Sequence, residues 1–170
     1  PVGVGRVRYV QADAGEALVR INPMGVRGTT EVFVYSVDRD GLFATITAVL
    51  DRAQLNVVEA RVISARSSRV LDTFFVLDAA GKPLHDPVRV SEVEEALRSA
   101  LGRALLDAKP ARRALSRALR HFHVVPRIVF SIVDDRTRLS LVCTDRPGLL
   151  ASVAQTFRSL GVRVHDARIA

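Results

Sequence analysis

Residues Asp145–Ile169 read DRPGLLASVAQTFRSLGVRVHDARI. The stretch opens on a tight turn, Asp145-Arg146-Pro147-Gly148, and continues with apolar residues at helical spacing: Leu149, Leu150, Val153, Phe157 and Leu160. That spacing predicts one buried face of a 3.6-residue repeat. Gly161 stands where a helix would stop in a left-handed residue. Alternation through Val162, Val164, Asp166 and Arg168 then predicts a short strand. The unit is turn, helix, turn, strand.

Working outward, the same unit occurs 107 residues earlier without a gap, as Asp38–Val62, DRDGLFATITAVLDRAQLNVVEARV. Eight of the 25 aligned positions are identical, among them the turn residues Asp38, Arg39 and Gly41 with Asp145, Arg146 and Gly148, and Arg61 with Arg168. The preceding stretches also align, VFVYSV (32–37) on LSLVCT (139–144). The period is too long for a solenoid and suits a duplicated domain.

A strand, D-R-P-G-L-L, a helix and an A-R-I strand together resemble the ACT domain family, a small-molecule-sensing βαββαβ module. With GTTEVFVYSVDRDGLF, LDTFFVLDAAGKPL and the Arg120-His121-Phe122 triplet, the chain from about Val19 to Ala170 is similar to the C-terminal tandem ACT region of PII-modifying uridylyltransferase/uridylyl-removing enzymes. The first copy departs from the pattern, with Asp40 in place of proline. The resemblance implies α+β architecture: tandem ferredoxin-like domains, the second truncated after its second strand. It divides the chain into a linker over 1–28, a first domain over 29–133 and the N-terminal half of a second over 134–170.

Composition agrees with a globular chain of one large or two small domains, since 48% of the 170 residues are hydrophobic. No apolar run approaches the ~20 residues of a membrane helix. The single cysteine, Cys143, cannot form an internal disulfide, which fits the cytoplasm. The chain starts at Pro1 rather than methionine and reads as a segment of a longer protein. Net charge is +7, and 23 of the 25 basic residues are arginine. The clustered part is Lys109–Arg120, read as a solvated connector in preference to a phosphate-binding surface. A nucleic-acid-binding module on the same scaffold would need an aromatic-rich third strand, which VLDTFFVL does not supply.

In chain order the pattern predicts a strand at 17–22 hairpinned to 29–37, a helix at 41–53, strands at 56–65 and 70–77, and a loop over 78–83. A helix follows, opened by a capping box at Ser91 and Glu94, and then a fourth strand at 127–132. A ferredoxin-like sheet in the order 4-1-3-2 would leave the second copy's 162–169 strand without its own neighbour. Either further sequence or a partner chain is expected to cover it, with side-by-side pairing in a homodimer the favoured form.

The candidate ligand-binding residues are Asp145, Arg146, Pro147, Gly148 and Leu149 at the second turn, with His165 and Asp166 on the strand beyond. Asp38, Arg39, Asp40 and Gly41 of the first turn carry less weight. A helix entrance offers free N–H groups to a carboxylate. Pro147 at the first helical position would preset the backbone, Gly148 would let a ligand approach it closely, and Asp145 would cap the helix or meet an ammonium. On the residues alone, ordinary strand-to-helix punctuation is the simpler account. The resemblance shifts the weight, implying a ligand between this turn and the second strand of a neighbouring domain. Asp166 would then receive its ammonium or amide; the plain alternative is a solvent-facing strand residue. Arg61 and Arg168 are read as structural ion-pairing residues.

His121 and His123 fall short of the three or four ligands that a metal site takes. Cys143 has no paired base to make it a nucleophile, and His85 reads as loop surface. No catalytic residue, cofactor or metal is expected in this segment. The resemblance implies magnesium for catalytic domains elsewhere in the enzyme, glutamine or a similar amino acid as ligand, the PII signal protein as partner of the whole enzyme, and no nucleic-acid or membrane partner. The alternative is an ACT tandem from another amino-acid-controlled regulator.

Overall fold

The computed structural model describes residues 17–25, 28–64, 68–102, 124–165 and 167–169. Strand β1 (Leu18–Asn22) turns back into β2 (Thr30–Val37), where alternation buries Thr30, Val32, Val34 and Ser36. Helix α1 (Leu42–Arg52) leads to β3 (Asn56–Ser64), which returns as β4 (Arg69–Leu77). Helix α2 spans Pro87–Gly102. Beyond it lie β5 (Arg127–Val133), β6 (Arg136–Val142), α3 (Leu149–Ser159) and the two-residue β7 (Arg168–Ile169). The strands form a five-stranded antiparallel sheet, β1-β2-β4-β3-β7, and a separate β5–β6 hairpin. This mixed α/β arrangement, with three helices among the described residues, is compatible with a ferredoxin-like fold.

The core lies between the sheet and α1. Ile46, Leu50, Val32, Val34, Phe74 and Val76 have no exposed surface, and the Phe43 and Phe74 rings stack with centroids 5.9 Å apart. Every residue of α1 from Leu42 to Asp51 is buried, more than a one-sided stripe predicts. The cause is position: α1 lies over the sheet and packs against both α2 and α3. Residues off its sheet-facing stripe, such as Ala44, Thr47 and Ala48, are therefore covered by helices.

Two sequence expectations are corrected. The fourth strand, expected over 127–132, is extended as β5 but does not join the main sheet. Its place beside β2 is taken by β1, reached through the short 23–29 connection, whose closure is cheap in entropy. Val19 of β1 is fully buried, and the N–H of Ile21 donates to Glu94 Oε1 at 2.8 Å. β5 instead folds onto β6 through Asp134 and Asp135, with φ of 49° and 60°, the twist of a two-residue I′ hairpin. The expected division at 133/134 falls at this turn.

The capping box at Ser91 is not used either. The helix starts one turn earlier, where Asp86 Oδ1 accepts from the N–H of Val88 at 3.0 Å and Pro87 occupies the first position. An Asp-Pro pair satisfies a free donor and supplies a preset φ together. Glu94 is thereby released to Ile21 and to an ion pair with Arg98.

The expected cover for the second copy's strand comes from within the chain. β7 pairs with β3, Ala60 opposite Ile169 and Arg61 opposite Arg168. Subtracting the repeat offset from the second copy makes Arg61 its own partner, so a local pseudo-twofold axis passes through this pair. The same symmetry sets α3 beside α1. Ala154 is buried with the first copy's core, and Leu150 packs against it. The β5–β6 hairpin stays open, with Phe130 69% and Ile132 81% exposed.

Candidate functional site

Each repeat enters its helix through the same turn. The N–H of Leu42 donates to the carbonyl of Arg39 at 3.2 Å, and that of Leu149 to the carbonyl of Arg146 at 3.1 Å. Gly41 and Gly148 are the third residues of these turns, with φ of 77° and 72° and ψ near zero. These are type II turns, which need positive φ at that position. Pro147 is therefore the second residue of a turn rather than the first of the helix, and Asp40 takes the same place in the first copy. Neither helix has a side-chain cap, so the capping role read for Asp145 is not realised; Asp145 and Arg146 are exposed. The free carbonyl of Gly148 accepts from the N–H of Ser152 at 2.9 Å and from its hydroxyl at 2.8 Å.

The helices also end alike. The N–H of Leu55 donates to the carbonyl of Leu50 and that of Gln54 to Asp51; Val162 and Gly161 do the same to Phe157 and Arg158. This is a Schellman motif in both copies. Gly161 has φ of 67°, as its place in the sequence predicts, and Gln54 holds the equivalent residue at 61° without glycine's freedom.

The pseudo-twofold brings each turn against the end of the other repeat's helix. A Cβ on Gly148 would lie 3.2 Å from Oδ2 of Asp51, and one on Gly41 would lie 3.0 Å from Nε of Arg158. Asp51 and Arg158 are equivalent positions in the repeat, so the two contacts match in geometry and oppose in charge.

At the first turn a small cleft of about 30 Å³ opens between the repeats, bounded by Asp38, Arg39 and Gly41 on one side and by Arg158, Arg163 and Val164 on the other. Arg163 donates to Asp40 Oδ1 from Nε at 2.9 Å and from Nη2 at 2.5 Å, tying the repeats together beside the cleft. Arg39 Nη2 donates to the carbonyl of Leu101, while its Nε is buried without a partner.

Asp72 also lines this cleft, and sequence reading missed it. It lies on β4 in register with Val34 and Val62, facing the helices, and only 1% of its surface is exposed. Its Oδ1 has no hydrogen-bond partner. Burial, with the Asp38 carboxylate as a lesser cause, pushes its carboxyl up to about 7. The signal was present in the alternation Val70, Asp72, Phe74, Val76, which places a carboxylate in line with core residues.

Of the candidate residues, the structure brings Asp38, Arg39 and Gly41 together with the 162–164 segment. Pro147, Gly148 and Leu149 are half-buried, and Gly148 abuts Asp51. His165 is exposed, and Asp166 lies outside the described residues. So do Lys109–Arg120, His121 and His123. Arg61 pairs with Glu59 at 2.8 Å on its own strand, and its guanidinium sits over the Phe75 ring. These contacts offset the repulsion expected between Arg61 and Arg168 directly opposite it. Cys143 is half-buried beyond β6, and His85 is exposed. Among the described residues, no cluster of three His, Cys, Asp or Glu could hold a metal, and no helix is long and apolar enough to cross a membrane.

These features define an α+β module in which two repeats meet across a strand seam and a charged cleft. In sequence the chain is homologous to a region of enzymes named bifunctional uridylyltransferase/uridylyl-removing enzyme. It is 45% identical over 164 residues to that of Xanthomonas campestris pv. campestris strain B100, covering 95% of this chain and 18% of the relative. Identity is 50% over 142 residues with the Xanthomonas oryzae pv. oryzae MAFF 311018 enzyme, covering 82% of the chain and 16% of the relative. With that of Vibrio campbellii it is 39% over 166 residues, covering 92% and 18%. The chain thus spans under a fifth of the length of the curated relatives it matches. No protein-family model matches the chain, and no solved structure does.

Proposed function

We propose that this chain is the regulatory, amino-acid-sensing region of a PII uridylyltransferase/uridylyl-removing enzyme, built as a tandem of ACT domains, with glutamine as ligand. The first domain is β2-α1-β3-β4-α2, with β1 in the place of a closing strand. The second is represented by β6-α3-β7. The observation that carries the reading is the β3–β7 seam, which sets a glycine-headed helix entrance of one repeat against the other repeat. A free amino acid bridging that seam would favour one relative placement of the repeats, which is what an effector must do to shift an equilibrium. Homology to one region of much longer enzymes supports its being one part of such an enzyme. Magnesium-dependent transfer and hydrolysis belong, in this reading, to other parts of the cytoplasmic enzyme, as does modification of PII.

Isothermal titration of the chain with glutamine, glutamate and a panel of other amino acids tests the reading. Saturable heat with glutamine is expected. If no amino acid binds at millimolar concentration, the sensing assignment fails.

A further inference from the structure

Helices α1, α2 and α3 all lie on one face of the main sheet, the face that buries Val32, Val34 and Phe74. Among the described residues the opposite face carries no helix. Its side chains run in rows set by the strand register. One row is apolar, Leu18, Tyr35, Leu71 and Ile63, crossing β1, β2, β4 and β3. The next is Arg20, Phe33, Thr73, Arg61 and Arg168, continued into β7. Ile63 is 58% exposed, Leu71 42%, and Val37 at the end of β2 41%. Exposed large aliphatics gathered on one sheet face mark an interaction surface.

The face is also basic. Arg20, Arg61, Arg69 and Arg168 stand on it with two carboxylates, and both of these are engaged: Glu31 accepts from Asn22 at 3.0 Å and Glu59 pairs with Arg61 at 2.8 Å. The complement is a surface apolar along one strip and acidic beside it. Nucleobases suit it less, since guanidinium groups already occupy the ring faces on which bases would stack: Arg69 lies over Tyr35 and Arg61 over Phe75, each 5.3 Å from the centroid. Strands ~4.8 Å apart and rows ~7 Å apart make the face about 20 by 25 Å, roughly 500 Å². A free-standing dimer takes ~800 Å² per partner, and a second copy would bring the same arginines on a chain of net charge +7. A contact of roughly 1,000 Å² over both sides suits two domains of one polypeptide, where tethering supplies effective concentration.

We propose that this bare sheet face is the docking surface for another domain of the same enzyme, one that presents an apolar strip flanked by carboxylates. The chain matches 18% of the length of its Xanthomonas campestris relative, which leaves ample polypeptide to supply that domain. The inference rests on this homology and not on glutamine as ligand. Arg61 and Arg168 face each other across the β3–β7 seam. A partner carboxylate set between them would offset their repulsion, so docking would also hold the two repeats together.

Maleimide labelling read by peptide mass spectrometry tests the proposal, with Ile63→Cys and Leu71→Cys on the face, Val88→Cys on α2 as control, and circular dichroism as the folding check. Each variant is made in the 170-residue chain and in the full-length enzyme that carries it. In the chain alone, positions 63 and 71 should label within about fivefold of position 88, which is 66% exposed. In the full-length enzyme, 63 and 71 should slow at least tenfold while 88 is unchanged. High salt, or Arg20→Glu combined with Arg61→Glu, should return most of the lost rate relative to position 88; should the double variant misfold, the salt series carries this arm. Equal labelling of position 63 in chain and enzyme would overturn the proposal, as would protection indifferent to both salt and charge reversal. Protection already present in the chain alone, with a dimer's mass in sedimentation, would make a second copy the occupant; slowed labelling on adding a single-stranded oligonucleotide would make it a nucleic acid. Either result overturns the proposal. Failure of glutamine to bind would defeat the sensing assignment and leave this one standing.

Discussion

Asp72→Asn should change how stability depends on pH, with little effect at the acid end and its largest effect above neutrality. In the folded chain the Asp72 carboxyl titrates at about 7 instead of 3.8, first because of burial and second because of Asp38. Between those values the folded chain holds a proton that the unfolded chain has released, so stability falls as pH rises. Asp72's contribution is fully present below 3.8 and is lost as pH climbs through about 7. At ~1.4 kcal/mol per unit, the shift amounts to about 4 kcal/mol as an upper bound. Asparagine has nearly the same shape and cannot ionise. Urea unfolding by far-UV circular dichroism, from about pH 4 to about pH 8, should give wild type and variant a stability difference that is smallest at the acid end. The variant should then gain steadily, by up to ~1.4 kcal/mol per unit. Asp38→Asn in the wild-type background should make the wild-type slope shallower. A difference that stays constant across the range would show that Asp72 ionises like an exposed carboxylate, and the account of its burial would be wrong.

Three further outcomes follow from the packing and turns. Phe74→Ala removes a ring with no exposed surface that stacks on Phe43, and should cost ~3–5 kcal/mol in chemical denaturation. Gln54→Gly relieves a left-handed residue at φ of 61°; a gain of up to ~1 kcal/mol is expected, less whatever the freer unfolded chain takes back, read as a melting temperature a few degrees higher. Gly41→Ala places a side chain at φ of 77° against Arg158 and should lower the melting temperature, whereas Gly81→Ala, with open space around it at φ of 74°, should show the backbone strain alone and a smaller drop.

The strand–turn–helix–strand repeat was legible because its signals are local. A glycine before a helical stripe marks the turn, and a glycine after it marks the stop. Gln54 shows the limit: its left-handed conformation could be known only from its alignment with Gly161. The misplaced fourth strand has a different cause. Both 18–22 and 127–133 read as strands, and pattern cannot decide which pairs with β2; loop length and the Asp134-Asp135 turn did. At α2 two helix starts stand within five residues, and the Asp-Pro pair took precedence over the capping box. The charge contrast at the entrances was hidden because it lies between residues distant in sequence: Asp51 against Gly148, and Arg158 against Gly41. Asp72 was visible in the alternation, but its unpartnered oxygen belongs to the three-dimensional packing.

The β3–β7 seam also has a place in time. Its two residue pairs join positions more than a hundred residues apart, so they form only after most of the chain has been gathered in, and the entropy of that closure is met before any bond repays it. A strand of two residues gives little back. The first repeat, with its buried α1 and four-stranded platform, can assemble from nearer contacts, leaving β7 among the last elements to dock and the first to leave. Amide exchange at Arg168 and Ile169 should accordingly be orders of magnitude faster than at Val34 or Phe74. Segments that detach so readily are the ones whose populations a weakly bound metabolite can redistribute.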